Sequence, residues 1–141
     1  MAVTMKSRMQ ASLDPLAAAA LAAREHAHAP FSKFLVGAAL EDSDGRVHTG
    51  CNVENATYGL TVCAERVAIF KAISEGVKLR GFRRIAVAAD AASLTPPCGA
   101  CRQILWEFCG DIEILLVNPR GETETIRMRD LFPRPFDDSF L

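Results

Sequence analysis

The sequence predicts an α/β fold, a three-layer α/β/α sandwich built on a mixed five-stranded sheet. Two patterns and one turn predict it. Apolar runs of strand length alternate with segments of helical spacing in the order α-β-β-α-β-α-β-β, and such alternation packs helices against the faces of one sheet. Asp44-Gly45 joins the first two runs. This dipeptide favours a tight hairpin, so those two strands pair antiparallel. Helical segments separate the later strands, which makes the sheet mixed.

Residues 1–11 lack periodicity and are read as a flexible N-terminus ahead of a single domain spanning residues 12–141. Ser12 is the expected N-cap of an alanine-rich helix running to His28, with Pro30 as the stop. The segment Phe31 to Leu40 reads as an extended strand, and Arg46 to Asn52 as its hairpin partner. Val67, Ala68, Ala72 and Ile73 recur at helical spacing within residues 63–75, and Gly76 ends that helix. A buried strand follows at Arg84 to Ala89, then a helix from Cys98 to Cys109 closed by Gly110. Ile112 to Val117 is a further apolar strand. The turn Asn118-Pro119-Arg120-Gly121 then leads to a short edge strand at Thr123 to Arg127, and one helical turn is expected at Arg129 to Leu131.

Half of the 141 residues are apolar and 23% are charged, enough for one core without staples. The 16 Lys+Arg against 17 Asp+Glu leave a formal net charge of -1, so no positive excess marks a surface for a nucleic acid polymer. No apolar run reaches the roughly 18 residues that a membrane span needs. Met1 to Gln10 is basic but lacks the apolar stretch of a secretion signal. The five cysteines, an odd number, fit a reducing compartment where thiols stay free for metal. A cytoplasmic location is expected.

The chemistry gathers in Cys63-Ala64-Glu65-Arg66 and, after a gap of 30 residues, Pro97-Cys98-Gly99-Ala100-Cys101-Arg102-Gln103. Structural zinc sites close with four protein ligands, whereas catalytic ones supply three and leave a position for water. Three thiols and one carboxylate therefore point to an open zinc site, with Cys63, Cys98 and Cys101 as ligands and Glu65 as the proton carrier. A C-x-x-C pair by itself also fits a redox pair or half of a structural zinc site. Cys-x-Glu ahead of P-C-x-x-C narrows it, because this is the signature of zinc nucleobase deaminases, in which the Glu is not a ligand.

That spacing makes one demand on the backbone. Residues i and i+2 point to different faces of a regular helix, so Cys63 must sit at the helix cap, where the chain is not yet helical. Three thiolates around a divalent cation leave a formal charge of -1. Arg66 and the N-termini of the two helices are the expected compensation.

Read together, Phe31-Ser32-Lys33-Phe34-Leu35-Val36-Gly37-Ala38-Ala39, Gly50-Cys51-Asn52-Val53-Glu54-Asn55-Ala56 and the two cysteine segments resemble the homotetrameric, three-cysteine class of cytidine deaminases. The resemblance implies zinc-dependent hydrolytic deamination of cytidine and 2′-deoxycytidine to uridine and 2′-deoxyuridine with release of ammonia, a pyrimidine salvage reaction. It implies one zinc ion per subunit, a homotetramer with active sites near subunit interfaces, a small nucleoside as substrate, and neither a nucleic acid nor a membrane as partner. By the same resemblance Asn52 and Glu54 hold the ribose hydroxyls, Phe34 and Ala64 lie against the nucleoside, and Gln103 supports the ligands from behind. Phe136, at the end of Leu131-Phe132-Pro133-Arg134-Pro135-Phe136, would stack on the base in a neighbouring subunit, and Ala56 and Tyr58 would reach across the same boundary. Phe132 departs from the family's leucine, and five residues follow Phe136.

Two rivals are a blasticidin S-type or other cytosine nucleoside deaminase and, from a different class, a non-catalytic structural zinc module. Asn52-Val53-Glu54-Asn55 argues against the first. Cys51 and Cys109 have no ligand partner at a useful spacing and are read as packed thiols, and His26, His28 and His48 as surface residues.

Overall fold

Small and large apolar residues sort between the two faces of the central strands, and that sorting decides how the helices pack. The computed structural model describes residues 12–141; the expectation for residues 1–11 lies outside them. Helices α1 (Pro15–Arg24), α2 (Ala64–Ser74), α3 (Gly99–Cys109) and α4 (Met128–Leu131) accompany strands β1 (Val36–Asp42), β2 (Val47–Cys51), β3 (Phe82–Ala89), β4 (Glu113–Val117) and β5 (Thr123–Arg127). The strand order is β2-β1-β3-β4-β5. β1 runs antiparallel to β2 and β3, β3 runs parallel to β4, and β5 returns antiparallel. The sheet is mixed and five-stranded, as expected.

On one face Ala39, Ala86, Ala88, Leu115 and Val117 meet Leu16, Ala17 and Ala20 of α1. On the other, Ala38, Leu40, Ile85, Val87, Ile114 and Leu116 meet Ala64, Ala68 and Ile69 of α2 and Leu105 of α3. Alternate residues of each strand thus serve opposite faces. Each fully buried leucine or isoleucine here contributes roughly 1.5–3 kcal/mol.

α1 begins later than expected. Asp14 caps it, accepting from the Leu16 amide at 2.9 Å, and Pro15 opens the first turn. An aspartate followed by proline is a stronger start signal than Ser12 two residues earlier. The helix also ends at Arg24, short of His28, because His28 leaves to pair with the backbone of Val53. The expected strand at Phe31 begins only at Val36. Its first half is a loop whose amides bind side chains instead of a sheet ladder.

The topology brings chain ends together. Val36 pairs with Ala89 and Gly37 with Cys51, so β2 and β3 finish on either side of the start of β1. α2 and α3 begin at that same edge of the sheet. At Gly50 an added Cβ would lie 2.6 Å from both the Ala64 carbonyl oxygen and the Ala68 nitrogen. Only glycine lets the first turn of α2 rest on β2 at this depth.

Candidate active site

Cys63 is the N-cap of α2 (φ -72°, ψ 153°) and Cys98 the N-cap of α3 (φ -66°, ψ 168°). The cap that the Cys-x-Glu spacing demands is present. Neither thiol caps the backbone of its own helix, so both sulfurs can turn toward a shared point, where each helix N-terminus adds partial positive charge. Cys101 joins them from the first turn of α3. The three Sγ atoms all lie within 4.8 Å of one another, with Cys63 and Cys98 3.9 Å apart. Thiolates bound tetrahedrally at zinc stand roughly 3.8 Å apart, so the three sulfurs fit a zinc ion.

Charge around the sulfurs is arranged in opposite senses. The Cys63 thiol is drawn down to about 5, first because Cys101 donates a hydrogen bond to it and next through Arg66, against the cost of burial. Cys101 is pushed up, by that same bond to Cys63 and by burial. Arg66 Nη2 lies 3.2 Å from Cys63 Sγ, the contact expected of it, while its Nε is buried without a partner among the described residues.

Glu65, in the first turn of α2, is 4% exposed. Burial pushes its carboxyl up to about 7, and the negative charge of Cys63 adds to the effect. It lines a cavity of about 290 Å³ together with Cys63, Cys98, Ala64, Phe34, Asn52 and Glu54. Ser32, Val36, Thr61, Val87, Thr95 and Pro96 complete the wall. The sequence reading missed these six. Thr95-Pro96 directly ahead of Pro97-Cys98 was the available signal. Among the described residues no lysine or arginine lines the cavity, and its carboxyl groups are those of Glu54 and Glu65.

Asn52 and Glu54 organise the loop that forms one side of this cavity. Asn52 Nδ2 donates to the Phe34 carbonyl at 2.7 Å, and its Oδ1 accepts from the Val36 amide at 2.9 Å. Glu54 Oε1 accepts from the amides of Phe31 and Ser32 at 2.8 and 3.1 Å. The Ser32 hydroxyl, burial and these amides act on the Glu54 carboxyl together and leave it below its ordinary value.

Three expected residues stand apart from this cavity. Ala56 is exposed, and Phe136 is 60% exposed on the C-terminal tail. Gln103 donates from Nε2 to Glu107 and to the Phe136 carbonyl, both at 2.9 Å, and so braces the tail in place of the ligands. Its position on α3 two residues beyond Cys101 turns it away from the sulfurs. His48 departs from expectation. It is 6% exposed, and its ring nitrogens face Asp42 Oδ2 at 2.9 Å and Glu75 Oε2 at 3.3 Å. The carboxylates that make its burial tolerable come from β1 and the end of α2, which spacing does not reveal.

Residues 11–116 match the family described as the cytidine and deoxycytidylate deaminase zinc-binding region. The chain belongs to this family. A cytidine deaminase of Sporosarcina psychrophila is 47% identical over 130 residues, 92% of this chain and 94% of that protein. One from Halalkalibacterium halodurans is 51% identical over 118 residues, 83% and 88% of the two chains. The crystal structure of a cytidine deaminase from Burkholderia pseudomallei superposes with a TM-score of 0.84 at 47% identity, covering 86% of this chain and 97% of that one. The deaminase family match ends at residue 116, ahead of the tail that carries Phe136. Among the described residues no helix is long and apolar enough to cross a membrane.

Proposed function

We propose that this protein hydrolyses cytidine and 2′-deoxycytidine to uridine and 2′-deoxyuridine with release of ammonia, in pyrimidine salvage in the cytoplasm. One observation carries the reading: of three sulfurs within 4.8 Å of one another, those of Cys63 and Cys98 belong to residues that line, with the buried Glu65, a nucleoside-sized cavity. Cys63, Cys98 and Cys101 hold the zinc ion. Zinc, when bound there, supplies a water acidified enough to act as nucleophile at neutral pH.

Glu65 does the proton work. A carboxyl whose pKa sits near 7 both accepts and gives a proton at neutral pH, which is the condition for efficient general acid and base catalysis. It takes one proton of the water and delivers it to N3 of the base as the water oxygen bonds C4, then takes the second proton from the C4 hydroxyl and gives it to the amine as the C4–N bond breaks and the C4 carbonyl forms. Arg66 offsets the negative charge of the three thiolates. Ala64 and Phe34 lie against the nucleoside, while Asn52 and Glu54, whose remaining donor and acceptor capacity is not used by the loop, bind the sugar hydroxyls.

The absence of any lysine or arginine from the cavity wall among the described residues supports a nucleoside over its 5′-phosphate, which would bring negative charge toward Glu54. The chains assemble as a homotetramer, with Phe136 of one subunit stacking on the base held by another and with Ala56 and Tyr58 at the same boundary. Exposed Phe31 and Tyr58, which line a hollow that shares Ser32, Glu54 and Thr61 with the cavity, support that assembly.

The test is to incubate zinc-loaded protein with cytidine, deoxycytidine, CMP and cytosine, following cytosine absorbance and ammonia together. Both nucleosides should be consumed with equimolar ammonia, and CMP should be a poor substrate. Bound zinc with no ammonia from any of the four would sink the proposal and leave a structural zinc module.

A further inference from the structure

Chain termini usually fray, because little holds them. The tail of this chain is held at three points although its aromatic rings face water. Arg102 Nη1 donates to the Leu131 carbonyl at its root at 2.8 Å, and the same guanidinium donates from Nε to the carbonyl of Pro97, the residue before Cys98, at 2.8 Å. Gln103 Nε2 donates to the Phe136 carbonyl at 2.9 Å, and Trp106 Nε1 to Asp137 Oδ2 at 2.8 Å. Asp137 also accepts from the Ser139 amide at 2.9 Å and so caps the last turn, Asp138–Phe140. That turn stacks Phe140 on Phe136, with ring centroids 5.5 Å apart and planes 11° from parallel. The two rings are 69% and 60% exposed.

Successive positions of α3 thus serve two purposes. Cys98 and Cys101 turn toward Cys63, while Arg102, Gln103 and Trp106 grip the tail. Two stacked rings left mostly in water bury little apolar surface for the isolated chain, whereas fixing them in advance removes the ordering cost of inserting them elsewhere. We propose that the Trp106–Asp137 hydrogen bond and the Phe140 ring are positioning elements that hold Phe136 at the angle required to enter the cavity of a second copy of this chain. The proposal rests on the reading that Phe136 stacks on a base in a neighbouring subunit. It adds Trp106, Asp137 and Phe140, which touch no substrate and act through Phe136.

The test uses the zinc-loaded, assembled protein. Asp137→Ala, on the surface, should raise KM for cytidine roughly fivefold, the effect of one hydrogen bond. Its kcat, zinc content and assembly state should stay within about twofold of the parent. Asp137→Asn keeps an acceptor for the indole N–H and should restore most of the affinity. Phe140→Ala should behave like Asp137→Ala, and in Phe136→Ala the further change Asp137→Ala should add nothing, since the two act as one unit. Phe136→Ala with unchanged KM would overturn the base-stacking reading and the proposal with it. A raised KM for Phe136→Ala beside normal values for Asp137→Ala and Phe140→Ala would overturn the positioning proposal alone.

Discussion

Asp42 and Glu65 are buried to nearly the same depth, 2% and 4% exposed, yet their carboxyls titrate on opposite sides of the ordinary range. Asp42 closes β1 at the edge of the sheet away from the cysteines. Its Oδ1 accepts from the amides of Asp44 and Arg46 at 2.9 and 3.0 Å, and its Oδ2 faces His48 at 2.9 Å and Arg46 at 3.4 Å. These partners, His48 first, hold it down at about 2. At Glu65 desolvation outweighs every favourable contact, and the carboxyl rises to about 7. Burial alone therefore says nothing about role. A structural acid is fully satisfied, whereas a working acid is kept poised to change its charge, and the partners decide which is which.

Exchanging each acid for its neutral amide tests that contrast. Glu65→Gln should lower kcat about 10²- to 10⁴-fold while retaining one zinc per subunit by metal analysis. Near-normal turnover in a zinc-loaded sample would remove Glu65 from the reaction. The same exchange should stabilise the metal-free protein. Because folding raises the Glu65 pKa above its ordinary 4.5, the folded state binds the proton more tightly, and stability is lost as pH rises from 4.5 to about 7. Metal-free Glu65→Gln should then exceed the parent in urea unfolding at pH 8 by at most about 3 kcal/mol, with the two converging near pH 4. Equal stability at pH 8 would place Glu65 in a more solvated environment than its burial indicates.

Arg66→Ala should keep zinc and lower kcat roughly 10- to 100-fold, the usual range for a group supporting a metal ligand. Unchanged turnover in a metal-loaded variant would rule out charge compensation. Asp42→Asn should act only on stability, lowering the melting temperature by several degrees at pH 7 with kcat intact. Its sign with pH is opposite to that of Glu65. The folded pKa of Asp42 lies below its ordinary 3.8, so its contribution is present above pH 3.8 and fades as pH falls toward about 2. Parent and variant should therefore converge in acid. A melting difference that persists at pH 2 would assign the effect to packing.

Much of this was legible in the sequence because the signals were local. The cap at Cys63 followed from the two-residue spacing to Glu65, and the hairpin between β1 and β2 from Asp44-Gly45. The loop at Phe31–Leu35 was not legible. Its apolar residues and alternation suit a strand, but Lys33 adopts a left-handed φ of 60°, and the amides of Phe31, Ser32 and Val36 are taken by Glu54 and Asn52. Those partners lie 16 to 23 residues away in the chain, beyond what periodicity reports. Gln103 was misplaced for the same reason, its partners being Glu107 one helical turn on and a tail carbonyl 33 residues away.

The sequence by itself determined the chemistry on offer, three soft ligands, one acid and one arginine, with a Cys-x-Glu spacing that demands a helix cap at Cys63. It also set the order of elements, because this depends on neighbours along the chain. Tertiary structure alone decided that β1 inserts between β2 and β3, so that sulfurs 35 residues apart come within 3.9 Å. It alone decided how dry Glu65 becomes and how completely Asp42 is partnered. A carboxyl's pKa is set by what surrounds it in space, and that is fixed only when the sheet closes and the helices settle on it.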